Sequence, residues 1–336
     1  MTPCAFLRIY AMWFRTIFRR RGKSQGDQAR PVTSPYGRRP ERSDAPLFDE
    51  AFLRRMERMS LQAQRTLRGN PSSGEHPSRH QIPASIFSDH RPYSSGDDLR
   101  YVDWNAYARQ NQVLLRLGEA EQDVNVHLLL DASRSMTTGD PQRMRLAQQL
   151  VGALGYLSLA HSDRLQIVPF GPAAMPAFGP TQGKARMIEM LRFVQNLAPQ
   201  PATSLSAVIR QHARHHPRGG MIVICSDLLA PEGLAEGLVT LAPPRWHALV
   251  LHMLSPDDLR PDLRGPLELE DSETGQRLQL TLDDQTLATY RSSVASWRER
   301  LAQECARRGV TYAPIMSNWP LEQQVVPYLR SRRLLR

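Results

Sequence analysis

The chain has 336 residues, 41% of them hydrophobic and 23% charged, which is typical of soluble globular proteins, and no segment has the roughly 18–20 uninterrupted apolar residues of a membrane-spanning helix. The net charge of +10 does not indicate a nucleic-acid-binding fold, because ten basic and two acidic residues in positions 1–43 account for +8 of it. Three scattered cysteines, Cys4, Cys225 and Cys305, argue against a disulfide framework and favour a reducing, cytoplasmic compartment.

Residues 1–46 are predicted to be a basic tail followed by a linker rich in Pro, Ser, Gly and Arg. Within residues 5–21, Arg8, Arg15 and Arg19 fall in a narrow sector of a helical wheel, and the apolar side chains lie elsewhere on it. A helix here would be amphipathic and basic, which suits peripheral contact with the inner membrane. A disordered tail is the alternative interpretation.

Residues 47–120 are expected to form an accessory region, in which the apolar spacing from Phe48 to Leu67 predicts a helix. Residues 89–109 then combine charged and aromatic side chains around one turn, and an ion-pair network is expected to hold this segment. A structural brace and a partner-binding surface are both open interpretations of it. The residues assigned to this network are Arg91, Tyr93, Gly96, Asp97, Asp98, Arg100, Asp103, Trp104 and Arg109.

From residue 121 to the C-terminus, short apolar runs alternate with helical patterns. This alternation predicts an α/β fold with a doubly wound, mostly parallel sheet and helices on both faces. Two alternating runs around Gly275, between residues 267 and 282, predict an antiparallel hairpin inserted at a sheet edge. The predicted strands are 124–130, 165–170, 221–225, 246–253 and 310–315, and the predicted helices are 143–160, 184–197, 205–215, 282–308 and a last one from 321.

The strongest chemical signal is a D-x-S-x-S motif directly after the first of these strands, formed by Asp131, Ser133 and Ser135. A carboxylate and two hydroxyls in one loop are hard oxygen ligands of the kind that Mg²⁺, or else Mn²⁺ or Ca²⁺, prefers. Thr203 opens a predicted helix and Asp227 follows the predicted strand 221–225, so all five oxygen donors are expected at one edge of the sheet. As alternatives, the serines and Thr203 can cap helices, and Asp227 can end its strand in a turn.

The set Asp131, Ser133, Ser135, Thr203 and Asp227 resembles the metal-ion-dependent adhesion site of von Willebrand factor A domains. The resemblance implies a von Willebrand factor A-like fold over residues 121–336 and one cation shared by the five side chains. It also implies an open coordination position that a carboxylate of a partner protein can fill.

No pattern in the sequence identifies a nucleophile or a general base, so a non-enzymatic binding module is expected. Cys225 lies in the apolar run 221–225 and is expected to be a buried hydrophobic side chain rather than a nucleophile. Two alternatives are a metal-dependent hydrolase, with Asp227 as the candidate base, and a membrane-surface scaffold that uses residues 5–21.

The sequence G-D-D-x-R-x-x-D-W at residues 96–104, followed by the D-x-S-x-S motif, resembles the bacterial family called domain of unknown function 58. The likeness extends from about residue 82 to the C-terminus, although residues 81–86 replace the family's usual glycine-rich approach and the paired N-terminal spanning helices of longer members are absent. Because members commonly sit beside MoxR-type AAA+ ATPases, the resemblance implies an adaptor or chaperone component acting with such an ATPase. No specific nucleic-acid partner is expected.

Overall fold

In the computed structural model, the residues described are 16–20, 46–69, 82–94, 99, 102–118, 124–139, 141–171, 175–201, 204–229, 234–261 and 264–332. The chain divides into two compact units, one of Met1–Ser60 with Val124–Arg336 and the other of Leu61–Asp123. The D-x-S-x-S motif belongs to the first unit and the charged segment 89–109 to the second.

After residue 121 the predicted strands and helices form in the predicted order, and the structure adds a short strand at Phe178–Thr181 and short helices at Ala235–Leu238 and Pro256–Leu259 that the sequence did not predict. The strands are β1 Thr16–Arg20, β2 Ile82–Pro92, β3 Leu114–Gly118, β4 Asn125–Asp131, β5 Arg164–Phe170, β6 Phe178–Thr181, β7 Gly220–Ser226, β8 Trp246–Leu254, β9 Gly265–Asp271, β10 Arg277–Leu282 and β11 Thr311–Met316. The α-helices are α1 Glu50–Gly69, α2 Trp104–Gln110, α3 Arg143–Ala160, α4 Met187–Gln195, α5 Leu205–His215, α6 Ala235–Leu238, α7 Pro256–Leu259, α8 Asp284–Arg307 and α9 Val326–Ser331. Short 3-10 helices span Arg134–Thr137, Lys184–Arg186 and Val239–Leu241, and a π-helical turn spans Leu321–Val325.

Six strands form the main sheet of the first unit, in the order β11-β8-β7-β4-β5-β6. All neighbours are parallel except β6, which runs antiparallel to β5. The chain builds outward from β4 to β6 on one side and then returns to build from β7 to β11 on the other, so the strand order reverses between β4 and β7. In open α/β sheets, ligands bind beyond the carboxyl ends of the strands at such a reversal.

The central strand β4 is buried along nearly its whole length, and its side chains alternate between two apolar cores. Leu128 and Leu130 contribute to a core that includes α3 and α4, whereas Leu129 contributes to a core on the opposite face that includes α5 and α8. The predicted α/β fold with helices on both faces of a mostly parallel sheet is therefore confirmed. Cys225 is fully buried in β7, and burial raises the pKa of its thiol to about 12, as expected for a side chain that packs rather than reacts.

The predicted hairpin forms from β9 and β10, with Gly275 at a φ of +70° in the turn between them. Its predicted place at an edge of the main sheet is wrong, because it forms a separate three-stranded sheet with β1. Leu267 and Leu269 on its apolar face pack in a core that includes Leu287 of α8. The hairpin therefore lies where its apolar face is buried, and not where it would add strands to the main sheet.

The amphipathic helix predicted within residues 5–21 is wrong at Thr16–Arg20, which form β1. This segment pairs antiparallel with β9, from Thr16 opposite Asp271 to Arg20 opposite Leu267. Two reasons explain the strand. The edge of β9 supplies backbone hydrogen-bond partners, which the helical spacing of one segment cannot reveal, and Thr, Ile and Phe favour strands. Residues 5–15 lie outside the described part of the chain.

The region 47–120 is divided between the two units. Phe52 and Met56 of α1 are buried in the core of the first unit, whereas the second unit pairs β2 with β3 antiparallel and places α2 between them in sequence. Neither strand is predicted from the sequence, because Pro83, Asp89 and Arg91 interrupt the alternation in β2 and β3 has only five residues.

Candidate metal centre

The D-x-S-x-S loop begins at Asp131, the last residue of β4, and the backbone of Ala132 holds it on both sides. The Ala132 N–H donates to the carbonyl of Phe170 at the end of β5 over 3.2 Å, and the Gln200 N–H donates to the Ala132 carbonyl over 2.6 Å. The loop is thus anchored to neighbouring backbone where β4 ends.

Within this loop the polar side chains face one another. The Ser133 and Ser135 hydroxyl oxygens are 2.9 Å apart, and the Ser133 hydroxyl makes no capping hydrogen bond to the 3-10 helix that follows. The Asp131 carboxylate accepts the Ser133 N–H over 2.9 Å and the Ser226 hydroxyl over 2.5 Å. Both serines are buried, so three oxygen-bearing side chains meet in a site largely shielded from water.

Asp227 lies just beyond β7 and is 3% exposed. Its Oδ1 accepts the Leu229 N–H over 3.2 Å in a turn, but its Oδ2 is buried and has no hydrogen-bond donor among the described residues. The nearest cation to Oδ2 is the Arg143 guanidinium, 4.0 Å away, which is too long for a hydrogen bond. Leu228 has a φ of +59°, a left-handed conformation that a branched apolar residue rarely adopts and that is common at functional sites.

Buried carboxylates repel one another at the carboxyl end of the main sheet, where burial and the Asp227 carboxylate raise the pKa of both Asp131 and Asp258. Burial, and then the nearby Asp227 carboxylate, raise the pKa of Asp131 well above its ordinary value. Burial raises the pKa of Asp258 to about 6, even though Arg143 acts to lower it. Buried carboxylates of this kind are stabilised by a positive charge between them.

Arg143 is a site residue that the sequence analysis missed. Its guanidinium is 0% exposed and donates to the Asp258 carboxylate over 2.7 Å, to the Ser135 carbonyl over 2.7 Å and to the Thr138 hydroxyl. It therefore ties the D-x-S-x-S loop to α7. Nothing in the local sequence distinguishes Arg143 from Arg145 two positions later, so only the folded chain identifies it.

Glu273 is a second residue that the sequence analysis missed. It lies in the turn between β9 and β10, and its carboxylate accepts the Ser135 N–H over 2.8 Å. A carboxylate from elsewhere in the chain thus already lies at the D-x-S-x-S loop. Ser226, which holds Asp131, is the third missed residue, and its position next to Asp227 is the only sequence signal for it.

Four of the five predicted metal ligands, Asp131, Ser133, Ser135 and Asp227, lie at the carboxyl ends of β4 and β7 or directly after them. Thr203 lies outside the described residues, between Gln200, which bonds to the loop, and Ser204, which caps α5 by accepting the Ala207 N–H. The four side chains fit a hard divalent cation, because all donors are oxygens and one buried carboxylate oxygen has no hydrogen bond.

The charged segment is described only in part. Gly96, Asp97, Asp98, Arg100 and the side chain of Arg91 lie outside the described residues, and the backbone of Arg91 is in β2. Asp103 caps α2 by accepting the N–H groups of Asn105 and Ala106, each over 3.0 Å, and Arg109 donates to the Asn105 carbonyl over 3.2 Å. The backbone N–H of Tyr93 donates to Val113 over 2.9 Å, and Trp104 is 61% exposed beside Tyr107.

Residues 89–300, well over half of the chain, match the family described as "Protein of unknown function DUF58". The chain belongs to the DUF58 family. The resemblance noted from residues 96–104 and the D-x-S-x-S motif is therefore confirmed. The match spans the charged segment, the residues of the candidate metal centre and most of α8.

Relatives of this DUF58 chain include uncharacterised proteins of Mycobacterium tuberculosis and Mycobacterium bovis, 27% identical over 257 residues that cover 75% of this chain and 80% of theirs. Its fold is similar to that of a conserved hypothetical protein, BatB, from Bacteroides thetaiotaomicron, with 18% identity, a TM-score of 0.41 and coverage of 63% of this chain and 98% of that one. An aerotolerance-related membrane protein from Bacteroides fragilis gives 19% identity, a TM-score of 0.40 and coverage of 62% and 97%. Among the described residues of the present chain, no helix combines the length and apolar character needed to span a bilayer.

Proposed function

We propose that this chain is a non-catalytic protein-binding module in which Asp131, Ser133, Ser135 and Asp227, together with Thr203, hold one Mg²⁺ ion. Mn²⁺ or Ca²⁺ would fit the same donors, since both prefer oxygen ligands. The ion supplies an electrophilic position that binds a carboxylate of a partner protein. The observation that carries the proposal is the Asp227 Oδ2 atom, which is buried beside a second carboxylate and has no hydrogen-bond donor within the described residues.

The donor set has the composition of a von Willebrand factor A-type adhesion site, and its position at the reversal of strand order is where such a sheet binds ligands. Ser133 and Ser135 direct their hydroxyls toward each other instead of capping a helix, which supports a role as ligands. Asp131 is oriented by the Ser226 hydroxyl, the kind of supporting hydrogen bond that fixes metal-binding carboxylates.

The contact between Glu273 and Ser135 supports the carboxylate-binding part of the proposal. The backbone N–H of Ser135 donates to the Glu273 carboxylate, which comes from a turn 138 residues away, so this loop is already suited to a carboxylate ligand. A partner's Asp or Glu would bind in the same place, with the metal adding charge-assisted attraction.

Binding is favoured over metal-assisted hydrolysis, since hydrolysis needs a base next to an open metal position. Asp227 is the candidate base, but in the proposed site its buried carboxylate holds the ion and does not act as a base. From the family relationship we infer that the partner is a MoxR-type AAA+ ATPase, with this chain as its cytoplasmic adaptor.

Calorimetric titration of the full chain with Mg²⁺ and Mn²⁺ tests the proposal. We expect saturable 1:1 binding that Asp131→Asn abolishes while leaving the fold intact, because asparagine keeps the shape of the side chain but removes its charge. Asp283→Asn is the matched control, as Asp283 caps α8 and asparagine caps equally well. Two results would refute the proposal: Mg²⁺ binding that persists in Asp131→Asn, or binding of the MoxR-type ATPase that does not depend on Mg²⁺.

A further inference from the structure

A cluster of three histidines lies in the first unit, away from the carboxylate site. His127 lies in β4 and points to the face that α5 covers, where His212 belongs to the helix and His216 follows its last residue. His127 precedes Asp131 by four residues along β4, a separation of about 13 Å at strand rise. His212 and His216 have the i, i+4 spacing that places two imidazoles on one side of a helix.

The ring nitrogens of these histidines converge. One ligand nitrogen from each of His127, His212 and His216 lies within 4.8 Å of the other two, the one such group of His, Cys, Asp or Glu side chains found in the described part of the chain. The ring centroids of His127 lie 4.8 Å from His212 and 4.7 Å from His216. In a tetrahedral zinc site the nitrogens are about 3.4 Å apart, so binding would draw the rings together by rotation of the side chains.

Several of these nitrogens are buried without a partner. His127 is 4% exposed and His212 is 6% exposed, yet both ring nitrogens of His127 and Nε2 of His212 have no hydrogen-bond partner among the described residues. Gln166 and Gly219 lie near His127 and favour its protonated form without completing a hydrogen bond. Buried polar groups are nearly always hydrogen-bonded in folded proteins, so three unpartnered nitrogens in one cluster point to an absent ligand.

The protonation of the cluster also suits a metal. Burial and the neighbouring histidines lower the pKa of His127 to about 4 and that of His212 to about 3, so both rings are neutral at physiological pH. Neutral imidazole is the form that binds metals. His216 bonds through Nδ1 to the His212 carbonyl over 2.9 Å, which orients its ring and leaves Nε2 for a ligand role.

We propose that His127, His212 and His216 form a second metal site, which binds Zn²⁺ or a similar borderline-soft cation through three imidazole nitrogens. Because its donors are nitrogens, the site is chemically distinct from the all-oxygen site at Asp131, which prefers Mg²⁺. His216 is half-buried and provides the route by which the ion and a fourth ligand, such as water, reach the cluster. The bound ion ties the C-terminal end of α5 to the central strand.

The competing explanation is that the rings only pack on one another and on Trp246, whose ring centroid lies 5.2 Å from that of His127. Titration of metal-free full-length protein with Zn²⁺ in excess Mg²⁺ separates the two explanations. We expect one Zn²⁺ per chain, a rise in Tm on binding and, with Co²⁺ as the probe, the visible absorption of a tetrahedral nitrogen site.

His216→Gln is expected to weaken Zn²⁺ binding by at least about tenfold, since even the loss of a supporting residue around a metal typically costs that much. The matched control is His215→Gln, because His215 is the exposed last residue of α5, next to His216, and bonds to the Gln211 carbonyl. Cys4→Ser and Asp131→Asn should also keep full Zn²⁺ affinity. Circular dichroism verifies that His216→Gln is folded, and His127→Phe provides a second removal of a ligand. No Zn²⁺ binding by the wild-type chain, or equal binding by both ligand variants, would overturn the proposal.

Discussion

Replacing Arg143 with methionine is expected to destabilise the first unit strongly while keeping the volume of the side chain. The guanidinium is fully buried and is 2.7 Å from the Asp258 carboxylate, which is itself 9% exposed. After the substitution this carboxylate keeps the Ser255 N–H, 2.6 Å away, but loses its counter-ion. Removing one partner of a buried ion pair costs about 3–5 kcal/mol, because the charge left behind is neither solvated nor neutralised.

For domains of 150–250 residues, 1 kcal/mol shifts Tm by about 2–4 °C, so the expected fall for Arg143→Met is roughly 6–20 °C. Urea unfolding followed by circular dichroism measures the free energy directly. The double variant Arg143→Met with Asp258→Asn should show a coupling energy of about 1–3 kcal/mol, since it leaves no unpaired charge.

The exposed ion pair between Arg210 and Glu236 is the matched control. Its atoms are 2.6 Å apart, nearly the same distance as in the buried pair, but the two side chains are 35% and 74% exposed. Arg210→Met should therefore cost less than about 1 kcal/mol. Equal effects of the two Arg→Met substitutions would refute the reasoning, because burial would then not determine the strength of the pair.

Three further predictions concern the metal site, acid stability and the second unit. If a MoxR-type ATPase is the partner, as proposed, Glu273→Ala is expected to raise its affinity at fixed Mg²⁺, because the Ser135 N–H no longer has an internal carboxylate. Calorimetry measures this affinity, and unchanged or weaker binding would contradict the prediction. Burial lowers the pKa of His252 to about 3, so below pH 6.5 the unfolded chain binds a proton that the folded chain does not, and the free energy of unfolding decreases as the pH is lowered. His252→Gln should reduce the slope of this free energy against pH by about 1.4 kcal/mol per pH unit between pH 6 and 4. Parallel curves for the wild type and the variant would count against the prediction. Asp103→Ala should destabilise α2 by about 1 kcal/mol and speed its amide hydrogen exchange, unlike Asp103→Asn, which keeps a capping residue; equal exchange in both variants would exclude the cap.

Local patterns in the sequence are sufficient to predict the α/β core. The apolar run that becomes β4 is continuous because that strand is buried on both faces, and α5 extends over the predicted residues, Leu205–His215, with Ser204 as its cap. The D-x-S-x-S motif can be recognised because its three oxygen-bearing side chains lie in one five-residue loop. That Asp227 belongs to the same edge follows from the parallel arrangement of successive strands.

The tertiary structure alone decides the contacts between residues far apart in the sequence. The Ser226 hydroxyl meets Asp131 across 95 residues, Glu273 meets Ser135 across 138 residues, and Arg143 meets Asp258 across 115 residues. Likewise, β1 is a strand because the edge of β9 is open to it, not because of its own periodicity. The period of the apolar residues in a helix or strand indicates which face of that element is buried. These long-range contacts depend instead on the path of the whole backbone, which no local sequence pattern determines.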